Sequence, residues 1–371
     1  MAKKYVKEMD KNRNAGAIKK SEIKIRPKID LHRHLDGDVK TEVLFNLARK
    51  NKIHLPAKNS RELAEYFKNL KNAGLANLFR EGFGLVTSLM QTPENLEIIA
   101  YEEVRNLNKD NIIYAEIQFA PQYHTGESVY YNHGEGGQKN SYEEIIKSVW
   151  RGLKHGEHDF GVKTNLIIDI GREAAPEIGV EVAKAAIKCA QYNVVALGLA
   201  TDEANFPPER HRQAFQLTFG TELKRSVHAG EFGSQLHKNI ITSINELKAD
   251  RLGHARIVSQ YEDLLQKIKE KNIGIESCPE SNIFTDLIKS RHEIGIKRLF
   301  EEGALVSINS DDPAMFGYTL TDTIYRLCKE ETWIDMEGIR KLQINAAMSS
   351  FLKQDEKEAL VRLINKGYDT N

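Results

Sequence analysis

The sequence predicts an α/β chain folded as a (β/α)8 barrel, the TIM-barrel architecture. Three observations predict it. Eight strand-like runs can be read along the 371 residues, separated by stretches with helical periodicity. Several of the runs are near-continuously apolar, as parallel strands buried on both faces require. Polar residues interrupt the runs at their C-terminal ends, the face where such barrels carry their chemistry. Repeated βα units imply a parallel sheet with right-handed crossovers, and eight of them favour a closed barrel over an open doubly wound sheet.

The runs are 28–34, 112–120 (IIYAEIQFA), 163–170 (KTNLIIDI), 193–200 (NVVALGLA), 225–229 (RSVHA), 251–255 (RLGHA), 272–277 (NIGIES) and 304–309 (ALVSIN). Between them, 39–50 sets Val39, Val43, Leu44 and Leu47 on one helical stripe, with Asp38 as its N-cap. Residues 176–192 and 260–271 read the same way. A helical insertion over about 55–110 separates the first two strands, and a barrel places it over the C-terminal mouth as a lid. Residues 124–140 are Gly-rich and polar, which predicts a mobile loop. Residues 1–26 are polar and Lys-rich with no apolar leader, which predicts a flexible solvated tail. Residues 27–371 then form a single domain without a linker or further repeat.

Composition narrows the partners. Lys+Arg and Asp+Glu both number 53, so charge makes no case for nucleic acid or acidic membranes, and a small molecule fits better. Apolar residues form 40% of the chain, enough for a large core. Cys189, Cys278 and Cys328 are odd in number and form no CxxC pair, which points to reduced thiols in a cytoplasmic protein. No apolar run approaches the ~18 residues of a membrane helix.

The most informative stretch is 30–37, DLHRHLDG. Side chains repeat with period two in a strand, so His32 and His34 leave on one face, side by side. Histidine is the commonest metal ligand. Exposed or hydrogen-bonded core histidines show the same spacing, so the pair alone leaves both readings open. Three later segments share its register. His228-Ala229-Gly230-Glu231 ends the fifth strand, Gly253-His254-Ala255 the sixth, and Ser310-Asp311-Asp312-Pro313 the eighth. A hydrolytic metal site needs ligands, an open position for water, and acid–base groups. His32, His34 and His228 offer nitrogens, and an aspartate from the eighth strand adds an oxygen. Such donors without thiolate suit zinc best. A bound ion brings the pKa of water from near 16 to about 7. Glu231, three residues beyond His228, is placed to reach a substrate beside the ion. His254 is placed to take the proton of the bound water. Asp311 and Asp312 are adjacent and point apart, so one can bind metal while the other holds water or substrate. A plain Asp-Asp-Pro turn is the alternative.

The set HRHLDG, HAGE, LGHA and SINSDDP, in this order from Pro27 to the Asn345-Ala346 region, resembles the adenosine deaminases of the metal-dependent amidohydrolase superfamily. The resemblance implies one zinc ion per chain, held by His32, His34, His228 and Asp311. It implies Glu231 as the acid that protonates purine N1, and His254 as base or charge stabiliser for the hydroxide. Asp312 would orient the hydroxide and contact N7, Asp36 would bind the ribose 5′ region, and His34 would also touch substrate. The implied partner is a purine nucleoside, with no nucleic acid and no membrane, and the implied enzyme is a cytoplasmic monomer. Attack at C6 makes a tetrahedral carbon, and protonation of N1 first breaks the ring aromaticity. Glu231 must therefore be protonated when substrate binds, so its pKa is expected to be raised. Ammonia leaves and inosine remains.

Thr201 stands where the family often has glycine; the implied contact to purine N3 uses the backbone N–H, which threonine keeps. Ile168-Asp169-Ile170 and ATDEANFPPE resemble the malaria-parasite branch, in which Asp169 would contact the ribose. That branch can tolerate a modified 5′ group, so the resemblance implies 5′-methylthioadenosine as a second candidate substrate. Two rivals remain. Deamination of free adenine shares most of the metal motif, but Asp36 and Asp169 as ribose contacts favour the nucleoside. A non-catalytic nucleoside-binding barrel is disfavoured because His228, Glu231, His254 and both aspartates are all present.

Other motifs read as bland. His155-Gly156-Glu157 matches the H-x-E of cytidine-type deaminases, but no PCxxC follows, and a loop is expected. Gly82-Phe83-Gly84 lacks the third glycine of a nucleotide fingerprint. His124 and His133 are expected to be solvated, and His54, His211, His237 and His292 to lie at the surface. Cys278 ends the seventh strand and reads as packed, as do Trp150 and Trp333.

Overall fold

The computed structural model describes residues 18–71, 74–126 and 139–369. Eight parallel strands form one sheet in sequence order. They are β1 (Lys28–His34), β2 (Ile112–Phe119), β3 (Lys163–Gly171), β4 (Val194–Ala200), β5 (Lys224–Ala229), β6 (Arg251–His254), β7 (Gly274–Ser277) and β8 (Val306–Ile308). All eight predicted runs are strands, and the apolar ones are buried nearly throughout: in β3 only Lys163 is not. The seam between β8 and β1 closes at a bridge between Arg33 and Asp311. There the His34 N–H donates to the Asp311 carbonyl at 3.0 Å, and the Asp311 N–H donates to the His32 carbonyl at 2.9 Å. The chain thus closes its barrel with the residues that carry the histidine pair and the aspartate.

The interior below the mouth is charged. Arg251 of β6 reaches Glu116 of β2 and Glu276 of β7. Glu116 accepts from the Tyr114 hydroxyl at 2.7 Å, and Asn165 donates to that hydroxyl at 2.9 Å. β2 and β6 lie on opposite sides of an eight-stranded ring, so these contacts pass through its axis. The apolar core lies outside the strands instead, where Ile29 and Leu31 of β1 pack on Ala346 and Ala347 of the helix Met336–Ser349.

Several expectations are corrected. Residues 18–26 do not belong to a solvated tail: Lys20–Lys24 is a short helix, Ile23 is fully buried, and the Lys28 ammonium donates to the carbonyls of Ile23, Lys24 and Arg26. Asp38 does not cap the helix after β1, Thr41–Asn51, which starts after Lys40; it is buried and paired with Arg33. The insertion is a lid only in part. Its last helix, Pro93–Lys109, belongs to the outer ring and packs on Tyr142–Phe160, where Gly152 lets the two backbones approach. Its middle, including the π-helical segment Leu78–Phe83, leans over the mouth. His155-Gly156-Glu157 is helical, inside Tyr142–Phe160. His124 and His211 are buried, and His211 Nε2 is 3.0 Å from the Arg172 carbonyl. The expected mobile loop lies mostly outside the described residues, with His133 in it. No helix among the described residues is long and apolar enough to cross a membrane.

Candidate active site

One ligand atom each from His32, His34, His228 and Asp311 lies within 4.8 Å of the others. His34 Nε2 is 3.2 Å from His228 Nε2 and 3.3 Å from Asp311 Oδ1, and His32 Nε2 is 3.5 Å from the same oxygen. His32 Nδ1 is 2.6 Å from Glu276 Oε2, so it donates there and leaves the Nε2 lone pair facing the cluster. That Nε2 is buried and has no hydrogen-bond partner among the described residues. Burial opposes charge on His32 and His34, yet Asp311 pulls both up to about 9, helped by Glu276 at His32 and by Asp169 at His34. The point where the four ligand atoms converge therefore attracts positive charge. Three imidazoles and one carboxylate fit a divalent transition-metal ion there.

Two acid–base groups stand beside this cluster. Glu231 Oε1 is 3.4 Å from His254 Nε2, and His254 Nε2 is 3.5 Å from Asp311 Oδ2. Burial, with Asp311 and Glu203 as like-charged neighbours, pushes the Glu231 carboxyl well above its ordinary range. Burial pulls His254 down to about 4, so its imidazole is neutral. Its Nδ1 lies 2.9 Å from Asn282 Oδ1, which orients the Nε2 lone pair toward the mouth. Burial and Asp311 also push Asp312 well up.

Local geometry explains the placement. Gly253 lets the His32 ring pass beside β6, because a Cβ there would sit 2.7 Å from the ring. Thr201, His254 and Asp311 all have left-handed backbones, at φ +79°, +59° and +67°. A β-branched residue at such a φ is an outlier, and outliers of this kind cluster at functional sites. Thr201 is held there because its hydroxyl donates to Glu173 at 2.7 Å and accepts from the Arg172 N–H at 3.1 Å. Glu203 pins the turn after β5, accepting from the N–H groups of Gly230, Glu231 and Phe232 at 2.7–3.0 Å.

A cavity of about 360 Å³ opens over the cluster. Its polar wall carries Asp36, Asp169 and Thr201, and its lid side carries Leu78, Phe79 and Phe83. Asp169 is buried, and neither carboxylate oxygen has a hydrogen-bond partner among the described residues; His34 Nδ1 is 3.8 Å away. Burial pushes Asp169 up to about 7. A larger open depression of about 850 Å³ lies on the outer ring between Pro93–Lys109 and Tyr142–Phe160, and no ligand cluster converges there among the described residues.

His32, His34, Asp36, Asp169, Thr201, His228, Glu231, His254, Asp311 and Asp312 thus come together at one mouth. Glu276, Asn282, Glu203 and Glu173 were missed. Glu276 left a signal, a charge inside the otherwise apolar strand NIGIES. The other three sit in loops and helix starts, where polar residues are ordinary.

The model of the adenosine deaminase family matches residues 27–367. A Clostridium kluyveri protein named adenosine deaminase is 33% identical over 94% of each chain. One from Bos taurus is 34% identical over 92% of this chain and 94% of its own. Among solved structures, an adenine deaminase from Arthrobacter aurescens superposes with TM-score 0.81 at 25% identity, over 92% of this chain and 98% of its own. An N6-mAMP deaminase from Arabidopsis shares the fold, with TM-score 0.78 at 22% identity over 93% and 99%.

Proposed function

The chain belongs to the adenosine deaminase family, and on that premise we propose that it hydrolyses adenosine at C6, giving inosine and ammonia. The observation that carries the reading is the Glu231–His254 pair beside four convergent ligand atoms. One partner is a carboxyl that burial keeps protonated, the other an imidazole that burial keeps neutral. That is the division of labour the reaction needs. Glu231 holds a proton for purine N1. His254 takes one from the attacking water. Asp312, protonated by its surroundings, donates to N7, which is an acceptor.

We assign His32, His34, His228 and Asp311 as the ligands of one zinc ion, since three imidazoles and a carboxylate without thiolate match that metal. When bound, such an ion supplies the Lewis acidity that makes water nucleophilic near neutral pH. Asp36 and Asp169 accept from sugar hydroxyls, and the Thr201 N–H meets N3. His34 bounds the substrate side of the ligand set. Two buried oxygens at Asp169 without a hydrogen-bond partner among the described residues favour the nucleoside over free adenine, which has no hydroxyl to offer them. The apolar lid residues Leu78, Phe79 and Phe83 favour acceptance of the thioether of 5′-methylthioadenosine as well.

The test is ultraviolet monitoring of adenosine, 5′-methylthioadenosine and adenine, with and without a chelator. Turnover of the two nucleosides, abolished by the chelator, is expected. A preference for adenine would reject the assignment.

A further inference from the structure

Cys278 follows β7, the strand between β6, which ends in His254, and β8, which leads to Asp311. Three adjacent strand ends therefore present a nitrogen, a sulfur and an oxygen side by side. Ligand atoms of His32, His254, Cys278 and Asp311 lie within 4.8 Å of one another, and all four residues are buried. Asp311 divides its carboxylate between two directions. Oδ1 faces His34 and His32 at 3.3 and 3.5 Å, while Oδ2 faces His254 at 3.5 Å. Glu231 Oε1, 3.4 Å from His254 Nε2, adds a further oxygen on that second side. The thiol makes only a long contact, 3.6 Å, to the Glu276 carbonyl. Around one ion, N, O and S donors stand about 3.4–3.8 Å apart, so the group closes on a cation with small side-chain movements.

We propose that Cys278, His254 and Asp311 Oδ2 form a second cation position that takes a thiophilic divalent ion and shuts the enzyme off. The thiolate makes it softer than the three-imidazole site, so it selects cadmium, or zinc in excess, over harder ions. Binding replaces the S–H bond with a metal–sulfur bond and releases one proton to water, with no change of oxidation state. The ion then occupies the His254 lone pair and neighbours Glu231, so base and acid are both withdrawn. The inhibition rests on the proposed deamination, whereas the binding itself does not.

The experiment uses enzyme loaded with one equivalent of zinc and titrated with cadmium. The wild type is expected to take up a second ion, to develop the ultraviolet thiolate-to-cadmium charge-transfer band, and to lose adenosine turnover in step. Cys278→Ser and Cys278→Ala are expected to keep the first ion and basal turnover and to lack the band. Their inhibition requires at least about tenfold more cadmium. Exchange at the first site gives no thiolate band, and Cys189 and Cys328 remain in both variants as internal controls. A wild type without the band, or variants inhibited like the wild type, overturns the proposal. A protein that shows the band but turns over no adenosine supports the second site and overturns the deaminase reading instead.

Discussion

On the β1 and β6–β8 side of the mouth, the imidazoles of His32 and His254 are already braced by Glu276 and Asn282 before any ligand arrives. On the β3–β4 side, Asp169 buries two carboxylate oxygens with no hydrogen-bond partner among the described residues, and His34 Nδ1 lies 3.8 Å away. The first side is oriented by the protein alone. The braced ring nitrogens leave their other lone pairs aimed at one point, as ligands and bases require. The second side bears an unsatisfied polar group, a cost of about 1–3 kcal/mol that a hydroxyl bound there would recover.

Gly198 shows how the second side is kept open, since a Cβ there would collide with Asp169 Oδ1. The first side is held from behind by Arg33. Its guanidinium is buried among Asp30, Asp38, Glu103 and Ser310, tying the end of β1 to the segment after β8.

Substitutions on the two sides should therefore fail in different ways. The largest effect is expected of Glu231→Gln, which keeps shape and metal but has no proton to give. Its kcat should drop about 100- to 10,000-fold with metal content unchanged by elemental analysis. Wild-type rates in that variant would remove the acid from the mechanism. Glu276→Gln comes next. Loss of the carboxylate behind His32 should weaken metal affinity about 10- to 100-fold, read by competition with a chelator, with little change in KM once metal is restored. Asp169→Ala should do the opposite, raising KM for adenosine about tenfold or more while metal affinity stays. If both variants altered metal affinity alike, the contrast between the two sides would disappear. The smallest effect concerns pH. Activity needs neutral His254 and protonated Glu231. Burial pulls His254 down to about 4, so the limb of kcat/KM that His254 controls should fall as pH drops through that value, with metal content held constant. It should decline again on the alkaline side, as the raised Glu231 carboxyl ionises. An acid limb near the ordinary histidine range, at unchanged metal content, would remove His254 as the neutral base.

The strands were legible because apolar β-branched runs of this length have few alternatives. Tail, lid and cap were read less well. Ile23 and Lys28 tie down residues that look solvated in isolation, and Asp38 was claimed by Arg33 rather than by the helix it precedes. His124 and His211 carry no local mark of burial, because what covers them comes from other parts of the chain.

By itself the sequence determined the candidate ligand types, their order and their common face, since period-two geometry and strand ends are properties of a few consecutive residues. Only the tertiary structure decided which group stands behind each of them. Glu276 reaches His32 across 244 residues, and Arg33 meets Ser310 across 277. Such partners are chosen by closure of the barrel at the β1–β8 seam, a long-range event with no signature in local pattern. The upward shift of the Glu231 carboxyl and the downward shift of the His254 imidazole follow from the same closure, because burial drives both and burial is a property of the whole fold.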